Sequence, residues 1–248
     1  MLVAAAVCPC PPLLVPEVAA GAAPEMDAVR AACARAVAVL AGARPDRLIV
    51  VGPAAGEGRT AFPAGATGSF RGFGVDLDVI LGTPADGASG AGAGEGDVGP
   101  GRVLPLPLAV GAWLLGYAAW SRAPVEGMAV AEDLDAGQCV RTGTEIAAAP
   151  ERVALLAMGD GSACRTLKAP GYLDQRAAAF DAAVAEALAA ADTQALKGVD
   201  VELARELKAA GRAPWQVLAG AAEGADLHGT LLHDEAPYGV GYMVAAWS

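Results

Sequence analysis

The apolar run over residues 152–158, closed by Gly159-Asp160-Gly161-Ser162, constrains the chain more than any other stretch. A run of that length ended by a turn predicts a buried strand that delivers polar groups to a sheet edge. Two further stretches have the same form. Residues 4–7 lead into Cys8-Pro9-Cys10-Pro11-Pro12, and residues 48–51 lead into Gly52-Pro53-Ala54-Ala55-Gly56. In an open α/β sheet, ligands bind just beyond the carboxyl ends of the strands. Three such ends predict one shared pocket.

The elements between these strands support that class. Pro24 suits a first helical position, and Met26, Val29, Cys33, Val37 and Leu40 recur at helical spacing up to Gly42. A strand, a helix and a second strand within the opening residues form a βαβ unit, which favours a parallel sheet. Residues 56–74, rich in Gly and carrying Phe62, Phe70 and Phe73, are expected to border the pocket as a loop. Residues 75–81 alternate apolar and polar and predict a half-exposed strand. Residues 82–101, without large apolar side chains apart from Val98, are expected to form a flexible surface loop. A core helix is expected over 104–120, a strand over 125–130 and a helix over 133–148. Downstream, residues 177, 180, 184 and 188 mark an amphipathic helix. Asp200 reads as the N-cap of another, Pro214 begins a third, and 239–247 close the fold as a strand. The expectation is a single α/β domain over 1–248, with a mostly parallel or mixed sheet flanked by helices.

Composition narrows the function classes. With 28 acidic and 17 basic residues in a chain of 248, the net charge is −11, which argues against a nucleic-acid backbone as partner. No apolar run approaches the roughly 20 residues of a membrane span, and no basic stretch precedes the first apolar residues. The expectation is a cytoplasmic protein without membrane contact. Five cysteines, an odd number, read as reduced thiols rather than a disulfide framework.

The residues with chemistry to offer are few. Cys10, two residues after Cys8, has the type to bind a soft metal, but zinc takes four ligands and no second cysteine pair exists. His228 and His233 are the only histidines. His233 stands beside Asp234 and Glu235, a setting for a histidine–carboxylate site. Asp160 and Ser162 occupy the central turn. Ser162 as nucleophile with His233 as base is a hydrolase reading, though the Gly-x-Ser-x-Gly elbow is absent. The other reading of both residues is a turn held by local hydrogen bonds.

Taken in order, these stretches resemble the catalytic polypeptide of the class III extradiol ring-cleavage dioxygenases, in the superfamily that includes the Memo-like proteins. Cys8-Pro9-Cys10-Pro11-Pro12 resembles the family's Ser-Pro-His-Pro-Pro opening, and Gly52-Pro53-Ala54-Ala55 its second Pro-x-His turn. Ser69-Phe70-Arg71-Gly72-Phe73-Gly74 is similar to its Phe-x-x-Phe-Gly segment. Gly159-Asp160-Gly161-Ser162-Ala163 resembles its Gly-Asp-x-Ser-His turn, and residues 235–242, including Tyr238, its closing strand. The resemblance implies the extradiol dioxygenase fold, with ferrous iron held by two histidines and a carboxylate and a catechol as substrate. At the matching positions this sequence carries Cys10, Ala54 or Ala55, and Ala163, with Glu235 and Asp160 as carboxylate candidates. The implied reading is a dioxygenase-like protein whose usual iron site is lost. Its former pocket, around Pro53, Asp160, Ser162, Ala163 and Tyr238, then serves a small aromatic molecule or a protein partner, with oligomer formation left open. The alternative is an active metal-dependent dioxygenase or oxidoreductase with rearranged ligands, drawn from Cys10, His233 and Glu235.

Overall fold

The computed structural model describes residues 1–83 and 103–248; the loop expected over 82–101 lies almost entirely outside them. In chain order the elements are β1 (Leu2–Cys8), α1 (Pro16–Ala19), α2 (Asp27–Gly42), β2 (Arg47–Ala54), β3 (Arg59–Phe62), β4 (Ala66–Ser69) and β5 (Asp78–Leu81). They continue as α3 (Leu106–Tyr117), β6 (Val125–Ala131), α4 (Ala136–Ala147), β7 (Val153–Met158) and α5 (Ala177–Ala190). The chain closes with α6 (Thr193–Lys197), α7 (Val201–Glu206), α8 (Arg212–Ala221), β8 (Gly229–Glu235) and β9 (Tyr242–Trp247).

One mixed seven-stranded sheet, in the order β3-β6-β2-β7-β1-β9-β8, runs through the centre. Its middle strands β6, β2, β7 and β1 are parallel, whereas β3 and β9 pair antiparallel to β6 and β1. The three apolar runs singled out in the sequence are therefore neighbours, and being parallel they end at one edge. β1 and β2 do lie parallel in one sheet, but β7 is inserted between them.

Both faces of the sheet are covered, which is why these strands read as continuous apolar runs. Side chains alternate across the pleat. Ala5, Val7, Leu155 and Ala157 face a layer containing α4, α5 and α8, while Ala4, Ala6, Leu156 and Met158 face α2 and α3. Trp215 and Trp247 fill the first layer, each nearly without exposure. Burying a large apolar side chain of this kind contributes about 1.5–3 kcal/mol.

Helix α8 is buried over its whole length. It crosses α4 at two facing glycines. A Cβ on Gly143 would stand 1.9 Å from the Val217 carbonyl oxygen, and one on Gly220 would stand 2.1 Å from that of Val140. Only glycine permits backbones to approach so closely. The polar side chains on α8 are satisfied internally. Gln216 donates to the carbonyls of Lys197 and Val199 at 3.2 and 2.9 Å and accepts from Arg212 at 3.0 Å.

Residues 56–74 depart from the expected pocket loop. They contain β3, which pairs with the edge of β6, and β4, which forms a two-stranded ribbon with β5. Phe62 and Phe70 are buried in the core, and only Phe73 is exposed. The glycines there serve tight turns between short strands, which composition alone does not distinguish from a loop. The alternation over 75–81 does form a strand at its second half, with Val79 and Leu81 buried and Ile80 exposed. No helix among the described residues is long and apolar enough to cross a membrane.

Candidate functional site

The connection leaving β1 runs through α2 on one face of the sheet, and the connection leaving β7 runs through α5 on the other. Adjacent parallel strands whose exits diverge in this way open a crevice at their carboxyl ends, the place where doubly wound sheets bind ligands. Cys10 and Asp160 stand at this crevice. The Cys10 N–H donates to Asp160 Oδ1 at 2.7 Å, and the Gly159 N–H donates to the Cys8 carbonyl at 2.9 Å. Thus the two turns are tied to each other as well as to their strands.

Burial dominates the electrostatics at the crevice. It pushes the Asp160 carboxyl from its ordinary 3.8 up to about 7, against the pull of the Cys10 N–H. Burial also raises the Cys10 thiol well above its usual range, with the Asp160 and Glu132 carboxylates adding to the effect. The buried Tyr242 phenol is raised by burial first, then by the fields of Asp160, Tyr238 and Cys10. Near neutral pH the thiol and the phenol keep their protons, and Asp160 is close to half-protonated. A protonated thiol is a poor metal ligand and a poor nucleophile.

Tyr238 reaches outward from this cluster. Its hydroxyl donates to Glu25 at 2.7 Å, linking the segment before β9 to the turn before α2. Pro53 is buried in β2 opposite Val130 of β6, while the pairing of β2 with β7 ends at Val51. Its missing N–H therefore falls beyond the last β2–β7 pair. Ala163 is buried and has only backbone bonds to offer, donating to Leu207 at 2.9 Å and accepting from Gly171 at 2.8 Å.

Ser162 is fully buried, and both its polar groups are committed to one carboxylate. Its N–H donates to Asp181 Oδ1 at 2.7 Å and its hydroxyl donates to Oδ2 at 2.7 Å, while Arg165 donates to Oδ2 at 2.9 Å. This network binds the central turn to α5. No imidazole is among the partners of Ser162, so the base that a serine nucleophile requires is not in place. Of the two readings of this turn, the structural one accounts for every contact of the hydroxyl.

The rearranged ligand set is not assembled. His233 and Glu235 lie on β8, the outermost strand beyond β9, with Nε2 and Oε2 4.0 Å apart. Among the described residues, no group of three His, Cys, Asp or Glu side chains is placed to hold a metal ion. A non-haem ferrous centre takes two imidazoles and a carboxylate. Here the corresponding positions supply a protonated thiol at Cys10 and no donor atom at Ala54, Ala55 or Ala163. The residues present do not fit iron.

A cleft of about 490 Å³ opens next to the crevice. One wall is formed by the strand-end turns after β2 and β6, with Ala54, Ala55, Glu132 and Asp133. The other comes from the α7–α8 corner, with Lys208 and Arg212. The Gly211 N–H donates to the Asp160 carbonyl at 2.8 Å, which joins the α8 end of the cleft to the central turn. A Cβ on Gly159 would meet the Gly211 Cα at 2.4 Å, so this junction also depends on backbone contact. Of the positions matched to the family motifs, Ala54 and Ala55 line the cleft; Cys10, Asp160, Ser162 and Tyr238 do not. Arg212 belongs to none of those motifs. It is buried, and its guanidinium donates to the carbonyls of Glu132 and Leu134, fixing the turn after β6 against α8. A single arginine in an Ala-rich helix gives no sequence signal for that role.

No family model matches the chain, and no curated protein matches it. Among solved structures it is similar to the crystal structure of uncharacterized protein JW3007 from Escherichia coli K12. The two share 14% identity over 99% of each chain, with a TM-score of 0.57. At that identity the likeness shows the fold alone: a single α/β domain with a mixed sheet between helices.

Proposed function

We propose that this chain is a small-molecule-binding protein on an extradiol-dioxygenase-like scaffold that has lost the scaffold's iron centre. The observation that carries the reading is the 490 Å³ cleft at the carboxyl ends of β2 and β6, beside the divergence of β1 and β7. Its size suits a ligand of modest mass, and its position is the one that an open parallel sheet reserves for ligands. Ala54 and Ala55, at the positions where the family resemblance calls for a metal-binding turn, leave the cleft wall apolar. Ring cleavage on iron is not part of the proposal, because the donor atoms for it are missing.

Two measurements test it together. Protein loaded with ferrous iron under anaerobic conditions and then desalted is expected to hold far less than one iron per chain by mass spectrometry. A panel of small aromatic compounds screened by ligand-observed NMR is expected to yield binders whose signal disappears in Ala55→Trp, which fills the cleft. Retention of stoichiometric iron with catechol cleavage overturns the reading. So does binding that is indifferent to Ala55→Trp.

A further inference from the structure

Resting on that reading, we infer that the cleft takes a dipolar small molecule, with a cationic group at one end and an anionic group at the other. The charges on its two walls differ in sign. The turn after β6 contributes the exposed carboxylates of Glu132 and Asp133, and the α7–α8 corner contributes the exposed Lys208 and the buried Arg212. Among the described residues, none of these four takes part in an ion pair. Arg205, which also lines the cleft, is already paired with Glu202 at 2.8 Å.

The arrangement is built rather than incidental to flexible surface chains. Arg212 is only 2% exposed, yet its charge is met by carbonyl oxygens and the amide of Gln216, with no carboxylate as counter-ion. A buried charge without an ionic partner is costly, so an anion that reaches it gains more than it would from a surface lysine. The same guanidinium grips the Glu132 and Leu134 carbonyls on either side of Asp133, which holds the acidic wall opposite the basic one. Between the walls the lining is alanine. Ala54, Ala55, Ala204 and Ala209 suit a flat apolar middle section. A purely anionic ligand meets the unpaired carboxylates of one wall, and a purely cationic one meets Lys208 and Arg212. A molecule carrying both charges at opposite ends satisfies both walls.

The test is isothermal titration calorimetry of the whole chain with four probes of one shape: 4-(aminomethyl)benzoate, 4-methylbenzoate, benzylamine and benzyl alcohol. The dipolar probe is expected to bind at least tenfold more tightly than the other three, with an advantage that shrinks as salt is raised. Asp133→Asn should reduce its affinity towards that of 4-methylbenzoate, and Lys208→Met towards that of benzylamine. Both residues are exposed, so neither change threatens folding, and Ala55→Trp should abolish binding altogether. Equal affinity for all four probes, lost in Ala55→Trp, overturns the dipolar ligand while leaving a ligand-binding cleft. Tighter binding of a singly charged probe does the same. Failure of all four to bind, or binding untouched by Ala55→Trp, takes down both the ligand class and the cleft reading.

Discussion

Asp160 has a carboxyl raised to about 7 by burial, and this makes a pH-dependent contribution to stability. Between about pH 4 and 7 the folded chain keeps a proton on it that the unfolded chain has released. Stability from this group therefore falls as pH rises through that window and is lowest above 7. Asp160→Asn keeps an oxygen to accept from the Cys10 N–H and removes the charge. It is expected to raise stability at pH 8, by at most about 4 kcal/mol and less in proportion to residual solvation, and to flatten the profile between pH 4 and 7. Denaturant melts at several pH values check this; a variant no more stable than wild type at pH 8 contradicts it. Ser162 and Asp181 behave differently, since they form a buried, fully bonded cluster with Arg165. Ser162→Ala should cost about 1–2 kcal/mol, and Asp181→Ala about 3–5 kcal/mol by leaving the N–H and hydroxyl of Ser162 without an acceptor. Wild-type protein should not be labelled by a fluorophosphonate, since the Ser162 hydroxyl is buried and has no base. Labelling that vanishes in Ser162→Ala would revive the hydrolase reading.

At the scale of elements, the crossing of α4 and α8 decides whether the cleft exists. The turn after β6 feeds α4, and α8 begins with Arg212, so both cleft walls depend on how closely these helices pack. Gly143→Ala or Gly220→Ala forces backbone apart by more than a rotamer change relieves. Each is expected to destabilise by about 3 kcal/mol and to weaken binding in the cleft in the molecules that remain folded. Thermal melts and titration of the dipolar probe check both. Most of the elements are legible in the sequence. Continuous apolar runs mark β1, β2 and β7, and Asp200 does cap α7, its carboxylate accepting from the Leu203 N–H at 2.7 Å. The edge strand β8 escapes a reading by pattern, because a bulge between Leu231 and His233 breaks its alternation and its end is acidic. So do β3 and β4, whose strand character comes from pairing with other segments rather than from their own composition.

Across the whole molecule, the class of fold is written in the chain itself. Apolar runs that lack polar alternation form strands covered on both faces, and helical periodicity between them supplies the cover. The gathering of polar turns at one sheet edge is written there too, since the strands leading to them are parallel. Which residues meet at that edge is settled by three-dimensional packing. Cys10, Asp160, Ser162, His233 and Glu235 carry equal weight in the sequence. Strand order sends His233 and Glu235 to the far edge and joins Cys10 to Asp160, and the fold turns Ser162 inward to Asp181. The cleft draws its walls from residues about 150 positions apart, Ala54 and Lys208 among them. Local patterning cannot report that meeting, because the close helix crossing and the buried Arg212 that create it act only between segments distant in the chain.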